Sequence, residues 1–139
     1  TTDVMVGFPG ETEEEFDKSI KFVDEIGFSK VHVFKYSPRK GTPAAMYPNQ
    51  VPAEEKEERS KKMIEVSERN ERKFYKKFLG KDMHVLFEQS VKGKSDYYEG
   101  LTANYIRVFA HSKDNIVGKI YKTTLTGIAE EGGMEGKII

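Results

Sequence analysis

The stretch VMVGFPGETEEEF, residues 4–16, contains the signals of a strand, a tight loop and a capped helix in immediate succession. The apolar run ends at Gly7, which is consistent with a short buried strand. Thr12 followed three residues later by Glu15 predicts a capping box, in which each side chain bonds the backbone of the other residue. Apolar residues then recur at helical spacing: Phe16, Ile20 and Val23. These signals together predict one strand–loop–helix unit.

A second β-like run, VHVFKY at residues 31–36, follows Gly27, a residue suited to ending a helix. The segment SPRKGTPA after it has the composition of a loop. Because strand, helix and strand follow one another within residues 4–36, we expect a βα repeat with a parallel pair of strands.

A long helix is predicted over residues 54–79, opened by Pro52. Glutamates lie in its first turns and lysines in its last turns, which complements the helix dipole at both ends. Its apolar positions are sparse, and Ser67 and Asn70 interrupt them. We therefore expect a largely solvated helix that is anchored at its C-terminal half.

The chain changes character after Gly80, where β-branched and aromatic residues dominate. The β-like runs lie at 82–88, 97–111 and 115–127, with turn signals at 92–95 and 114–115. Four or five short strands in about 60 residues indicate a small β-barrel. The expected domains are therefore residues 1–79 and residues 80–139.

Composition excludes several classes of function. The chain has 139 residues, 23 basic and 23 acidic, so no overall charge draws it to nucleic acid. It has no cysteine, which excludes disulfides, thiolate metal sites and a cysteine nucleophile within the chain. No apolar run approaches the roughly 20 residues that span a bilayer, and no signal peptide is recognisable, so we expect a cytoplasmic protein. Because the first residue is Thr1, we expect a processed or excised chain.

Three segments before the β-rich region could carry chemistry. The turn VGFPGET offers backbone N–H groups to an anion or nucleotide, or simply makes a tight βα connection, and both interpretations stay open. The acidic residues 11–15 are better explained by the helix dipole than by a metal or general-base site. Arg39 and Lys40 follow the second strand at the same sheet end and could meet a phosphate. The three histidines lack metal-ligand spacing: His32, His84 and His111.

The β-rich region contains GLTANYIRV, residues 100–108. On a strand, Tyr105 and Arg107 would share a face, since they lie two residues apart. An aromatic ring beside a guanidinium suits an RNA surface. A core tyrosine with a rim arginine is an equally good interpretation of the residues alone.

The motifs TDVMVGFPGETEEEF, HVFKYSPRKGTPAAMYPNQVP and GLTANYIRV, in this order, resemble the C-terminal half of radical SAM tRNA methylthiotransferases. The resemblance covers essentially the whole chain. The segment HVFKYSPRKGTPAAMYPNQV is most similar to the threonylcarbamoyladenosine branch, and the isopentenyladenosine branch is a near neighbour.

The resemblance implies an α+β fold: the last two βα units of a partial (β/α) radical SAM barrel, a long helix, and an OB-like TRAM barrel. It also implies that the parent protein uses S-adenosyl-L-methionine (SAM) and two 4Fe-4S clusters, whose cysteines would lie upstream of Thr1. The strand pattern G-x-I-x-G-x-x-E of such enzymes is only partly matched, because Asp3 and Gly10 replace its first glycine and its glutamate. On this strand the implied SAM neighbours are Met5, Val6 and Gly7. On the next strand they are Phe34 and Tyr36, of which only one is expected to face inward. The implied RNA contacts are Thr102, Asn104, Tyr105 and Arg107, with Gly100 as part of the same motif.

The function implied for the parent is addition of a methylthio group at C2 of a hypermodified adenosine, N6-threonylcarbamoyladenosine, beside a tRNA anticodon. This chain would supply part of the SAM pocket and the tRNA-binding module, and would be inactive by itself, with no catalytic residue and no metal ligand of its own. Because strand edges and an apolar face are left uncovered, we expect either self-association or a loosely held segment 1–53. A non-catalytic RNA-binding module and a radical SAM enzyme acting on a small molecule are the alternatives from other classes.

Overall fold

The computed structural model describes residues 1–139 and has the expected α+β order of elements. The first part contains β1 (Thr2–Val6), α1 (Glu13–Ile26), β2 (Val31–Lys35), a 3-10 turn (Pro43–Met46) and α2 (Ala53–Lys76). The second part contains β3 (Asp82–Ser90), β4 (Tyr97–Thr102), β5 (Arg107–His111), β6 (Lys119–Ile128) and β7 (Met134–Ile138). The chain packs as two units, residues 1–74, here called the sheet unit, and residues 75–139, here called the barrel unit.

The predicted parallel pair is confirmed, since β1 and β2 run side by side with Met5 opposite Phe34. Side chains alternate between the two faces of this sheet. One face carries Val6 into a core with helix residues that include Phe16 and Met63. The other face, here called the open face, leaves Met5 53% exposed and Phe34 52% exposed.

The predicted caps of α1 are confirmed. The Glu15 N–H donates to the Thr12 hydroxyl at 3.2 Å, and the Thr12 N–H donates to the Glu15 carboxylate at 2.9 Å. At the other end Gly27 is left-handed, with φ 69°, and its N–H donates to the Val23 carbonyl at 3.1 Å. Local signals alone therefore define this helix.

The predicted anchoring of the long helix at its C-terminal half is incomplete: Val66 and Asn70 of that half are buried, but so is the first half. Met63, in the first half of α2, is completely buried, as the core of the sheet unit requires. Ser67 and Asn70 do not interrupt the packed face: the Ser67 hydroxyl accepts the Val31 N–H at 3.1 Å, and the Asn70 amide donates to the Val23 carbonyl at 3.3 Å. Short polar side chains fit this buried face because they bond backbone groups: Ser67 pairs with a backbone N–H of β2, and Asn70 gives the Val23 carbonyl a second donor beside the Gly27 N–H.

The barrel unit is a closed barrel with strand order β3-β4-β5-β7-β6. Counted from β3 the order is 1-2-3-5-4, with β5 and β7 parallel and the other pairs antiparallel. This connectivity is OB-like. The predicted strand 97–111 is divided by a loop at 103–106, and the strand β7 was not predicted.

Gly100 shows how tightly this barrel is closed. A Cβ atom on Gly100 would collide with the Leu86 carbonyl oxygen and lie 2.7 Å from the Phe87 Cα atom. Because both groups are backbone of the neighbouring strand, neither moves cheaply. Gly100 is therefore explained by packing between β3 and β4.

Candidate functional site

The residues predicted to lie near SAM occupy one end of the small sheet, but on different faces. Met5 and Phe34 are neighbours on the open face, whereas the Val6 side chain is in the core on the opposite face. Only the backbone of Val6 is therefore available at the sheet end. Its carbonyl accepts the Tyr36 N–H at 2.9 Å. Gly7 follows with φ 72°, and a Cβ atom there would collide with the Lys56 side chain.

Tyr36 is nine-tenths buried at the end of β2, and its hydroxyl has no hydrogen-bond partner. Its ring meets the Phe8 ring edge-on at 5.2 Å between centroids. The Phe8 ring also meets Tyr47 at 6.3 Å. Aromatic side chains from both strand-end loops therefore gather at one edge of the sheet, as the parallel arrangement predicts.

The turn at residues 7–11 uses most of its backbone N–H groups within the protein. The Gly7 N–H donates to the Glu11 carboxylate at 2.9 Å, and the Gly10 N–H donates to the Asn49 carbonyl at 2.9 Å. The Glu11 N–H donates to the Phe8 carbonyl at 2.9 Å. The turn thus has the character of a tight βα connection, with few amides left for an anion.

Glu11 pairs with Arg59, a residue that the sequence analysis did not single out. The Arg59 guanidinium lies 2.7 Å from the Glu11 carboxylate and donates to the Glu11 carbonyl at 3.0 Å. Both side chains are largely buried, at 11% and 14% exposure. The guanidinium also lies 5.7 Å from the centroid of the Phe16 ring. A signal existed, since Arg59 stands four residues before buried Met63 on the packed face of α2.

Lys56 makes the matching contact on the second strand. Its ammonium donates to the Tyr36 carbonyl at 3.1 Å and lies 5.9 Å from the centroid of the Tyr36 ring. Lys56 and Arg59, one helical turn apart, thus hold the loops that follow β1 and β2. Helix α2 positions the strand ends of the sheet unit.

The other charged candidates have ordinary roles in the structure. Glu14 pairs with Lys18 at 2.8 Å, and Glu15 caps α1. Arg39 and Lys40 are exposed in the loop after β2, which contacts the 7–11 turn through Asn49. No group of three or more His, Cys, Asp and Glu side chains is arranged to hold a metal ion.

The predicted RNA residues of the barrel form one tight loop between β4 and β5. The Thr102 hydroxyl accepts the Ile106 N–H at 2.9 Å and donates to the Asn104 side chain at 2.6 Å. The Tyr105 N–H donates to the Thr102 carbonyl at 2.9 Å. Thr102 is buried, so its side chain shapes the loop from below.

Tyr105 and Arg107 are both accessible, but they do not share a strand face as predicted. Tyr105 lies in the loop with φ 63°, and the strand begins only at Arg107. The Tyr105 side chain is 81% exposed, which rules out the interpretation as a core tyrosine. The Arg107 guanidinium lies 3.4 Å from the Glu99 carboxylate.

Comparison with known proteins gives relatives of one enzymatic class, transferases that modify tRNA. The chain is 37% identical over 127 residues to threonylcarbamoyladenosine tRNA methylthiotransferase MtaB of Bacillus subtilis, covering 90% of the chain and 28% of that protein. It is 48% identical over 96 residues to tRNA-2-methylthio-N(6)-dimethylallyladenosine synthase of Ehrlichia canis, covering 69% of the chain and 22% of that protein. It is 34% identical over 139 residues to tRNA-2-methylthio-N(6)-dimethylallyladenosine synthase of Acetivibrio thermocellus, covering 100% of the chain and 29% of that protein.

The homologues of this chain are therefore tRNA methylthiotransferases. The chain spans less than a third of the length of these relatives. No family model matches the chain. No helix of the structure combines the length and apolar character needed to cross a membrane.

Proposed function

We propose that this chain is the C-terminal part of a radical SAM tRNA methylthiotransferase. The observation that carries the proposal is similarity to such enzymes that runs through both units, since the Acetivibrio thermocellus match covers 100% of the chain. Residues 1–79 are then the last two βα units of a partial radical SAM barrel. The long helix predicted over 54–79 is α2, which runs from Ala53 to Lys76. Residues 80–139 are the TRAM module, and the parent protein is cytoplasmic.

The open face of the sheet fits the adenosine end of SAM. Met5 and Phe34 lie opposite each other there, and both are about half exposed. Exposed thioether and aromatic side chains are suitable partners for a flat base. The unpaired Tyr36 hydroxyl at the sheet end offers a buried polar atom. In the parent enzyme SAM supplies a methyl group and a radical-generating adenosyl group; the residues of this chain hold and orient it.

An iron–sulfur cluster does not fit this chain. Such clusters are held by cysteine thiolates, and the chain has no cysteine. We assign the cluster ligands to other parts of the parent protein. Anaerobic incubation of this chain with iron and sulfide is expected to give no cluster absorbance and no SAM cleavage, and a stoichiometric cluster would contradict the assignment.

The product we propose is a 2-methylthio group on N6-threonylcarbamoyladenosine beside the anticodon. It is supported by the resemblance of residues 32–51 to that branch and by the name of the Bacillus subtilis relative. A second candidate substrate is the dimethylallyl (isopentenyl) derivative, which the names of several relatives favour.

Nucleoside analysis of total tRNA separates the two candidates. A strain without the full-length protein is expected to lose 2-methylthio-N6-threonylcarbamoyladenosine, and the returned gene is expected to restore it. A gene truncated before residue 80 serves as the variant that lacks the barrel, with little restoration expected. Loss of the dimethylallyl derivative instead favours the second candidate, and no change in either nucleoside rejects the proposal.

The barrel is proposed to hold tRNA, with Thr102 and Asn104 shaping the loop that presents Tyr105 and Arg107. Arg107→Ala is expected to weaken tRNA binding by a similar factor for many sequences and to lower the salt slope by about one phosphate contact. The fold is expected to survive, because surface substitutions change stability little. Unfolding of the variant with unchanged affinity in its folded fraction would make Arg107 structural.

A further inference from the structure

The barrel has a cleft on the face where OB barrels usually bind oligonucleotides. That face is formed by the second and third strands and is bordered by the loops between strands one and two and between strands four and five. Here the strands are β4 and β5, and the loops are residues 91–96 and 129–133. The cleft has a volume of about 330 Å³. Its charged and aromatic lining consists of Lys94, Tyr97, Phe109, Glu130, Glu131 and Glu135.

The aromatic rings of this cleft are already engaged by the protein. Tyr97 stacks on Phe109 with centroids 5.7 Å apart and planes 10° apart. The centroid of the Tyr97 ring lies 4.5 Å from that of the His111 ring and 4.9 Å from the Lys94 ammonium. The phenol of Tyr97 donates to Glu135, whose two oxygens lie at 2.7 and 2.8 Å. A nucleobase therefore finds no free ring face for stacking.

The two loops are also joined across the cleft. The Lys94 ammonium, on the first loop, lies 3.0 Å from the Glu131 carboxylate on the second. The lining carries three glutamates against one lysine, which leaves two uncompensated negative charges. Phosphate groups are repelled by such a wall, and the repulsion is weakened only by salt.

The loop at residues 102–107 has the opposite properties. The Tyr105 ring is 81% exposed, and no other ring or cation of the protein packs on it. Its backbone is held at φ 63° by the hydrogen bonds around Thr102, a conformation that bulky residues seldom adopt outside functional loops. Arg107, two residues along the chain, is half exposed, and its guanidinium lies 3.4 Å from the Glu99 carboxylate and 5.6 Å from the centroid of the Phe109 ring. The exposed Tyr105 ring can stack on an unpaired base, and the exposed part of Arg107 can meet a phosphate.

We infer that RNA binds this barrel over the 102–107 loop and is excluded from the acidic, self-occupied cleft between loops 91–96 and 129–133. The inference rests on the proposed function, because it presumes that the barrel binds tRNA. The cleft then acts as a negative wall that restricts the path of the RNA on the barrel.

The test compares ring and charge variants of the whole 139-residue chain, with an unmodified tRNA transcript as the probe and fluorescence anisotropy at several salt concentrations. Tyr105→Asn removes the ring but tolerates the left-handed backbone, and Tyr105→Phe keeps the ring. Lys94→Gln removes the only cation that lines the cleft. Lys113→Gln makes the same charge change on the exposed loop after β5, outside the cleft lining.

Tyr105→Asn is expected to weaken binding about tenfold, as loss of one stacked base does, while Tyr105→Phe changes it less than about twofold. Lys94→Gln is expected to match Lys113→Gln within about twofold, since each removes one general charge. In the unchanged chain, amide chemical shifts are expected to move on RNA addition at residues 102–106 and not at 91–96 or 130–132. Arg107 and Gly133 are left out of this comparison, because Gly133 lies against the Arg107 carbonyl. This measurement does not depend on the folding of any variant.

Two results would overturn the inference in distinguishable ways. A loss with Lys94→Gln well beyond that of Lys113→Gln, or shift changes at residues 91–96 and 130–132, would place the RNA in the cleft and leave the proposed function intact. Absence of tRNA binding by the unchanged chain at low salt would reject the inference together with the proposed RNA role of the barrel.

Discussion

The strands of the sheet unit and those of the barrel unit differ in their number of hydrogen-bonded neighbours. In the barrel every strand has two hydrogen-bonded neighbours, whereas β1 and β2 have only each other. The largest residues of the barrel core are completely buried, while the open face of the sheet exposes Met5 and Phe34. Parallel strands normally have both faces covered. The difference indicates that the barrel is complete in itself and that the sheet unit lacks neighbours, which agrees with the proposed place of residues 1–79 in a larger barrel.

The largest effect is expected in the sheet unit, with Met63→Ala. Met63 is completely buried between α2 and the sheet, and truncation of such a side chain costs about 3 kcal/mol. Hydrogen exchange followed residue by residue should show amides of residues 1–74 losing protection while those of the barrel keep theirs. Ile64→Ala, on the exposed side of α2, is the control and should change little. Equal loss in both units would mean that they unfold as one.

A smaller effect is expected in the barrel with Gly100→Ala. The new Cβ atom would meet backbone of Leu86 and Phe87, so the strands must separate, at a cost of about 2 kcal/mol. Gly127→Ala is the matched control, because a Cβ atom at Gly127 has nothing within 4 Å. Urea denaturation monitored by the amide NMR signals of residues 82–138 should separate the two variants. If both are equally stable, the barrel is looser than its contacts indicate.

The helix caps could be predicted from the sequence, whereas one strand of the barrel could not. The capping box of Thr12 and Glu15 and the end of α1 at Gly27 were predictable, because they follow local backbone rules. The strand β7 was not. It contains Gly136, and a glycine in the sequence is typical of a turn. In the structure a Cβ atom at Gly136 would lie 2.6 Å from the Thr123 side chain and 2.8 Å from the Val108 side chain. Only closure of the barrel makes that glycine necessary.

The candidate sites show the same division. Exposed Tyr105 and Arg107 could be selected from residue type, but the left-handed backbone of Tyr105 could not, since no glycine or asparagine marks it. Arg59 was missed because a charge on a helix usually indicates the solvated side. Its spacing of four residues from Met63 indicated the packed face, but its partner Glu11, at 2.7 Å, follows only from the fold of the turn.

The hydroxyl of Tyr97 is expected to make the stability of the barrel fall as the pH becomes alkaline. Burial, with the nearby Glu135 carboxylate as the second cause, raises the pKa of Tyr97 above its ordinary value of 10.0. The folded state then holds this proton more tightly than the unfolded chain. Its contribution is complete below pH 10 and falls as pH rises above it, by up to about 1.4 kcal/mol per pH unit. Tyr97→Phe should flatten this decline between pH 9 and 11 in urea titrations, and an identical decline in the variant would assign it to other tyrosines.

The smallest effect tests the open face itself, through self-association of the chain. Two exposed side chains of the size of Met5 and Phe34 each gain about 2 kcal/mol when they become fully buried, but association costs several kcal/mol in lost motion. We therefore expect only weak dimerisation, in the high micromolar range or above, detectable by sedimentation equilibrium. Phe34→Glu should abolish it, because a carboxylate cannot be buried there without a partner. Ile120→Glu places the same charge on the barrel, where Ile120 is 65% exposed, and should leave association unchanged. If Ile120→Glu abolishes the dimer and Phe34→Glu does not, the chain dimerises through the barrel. The open face of the sheet unit would then not be the surface that drives self-association.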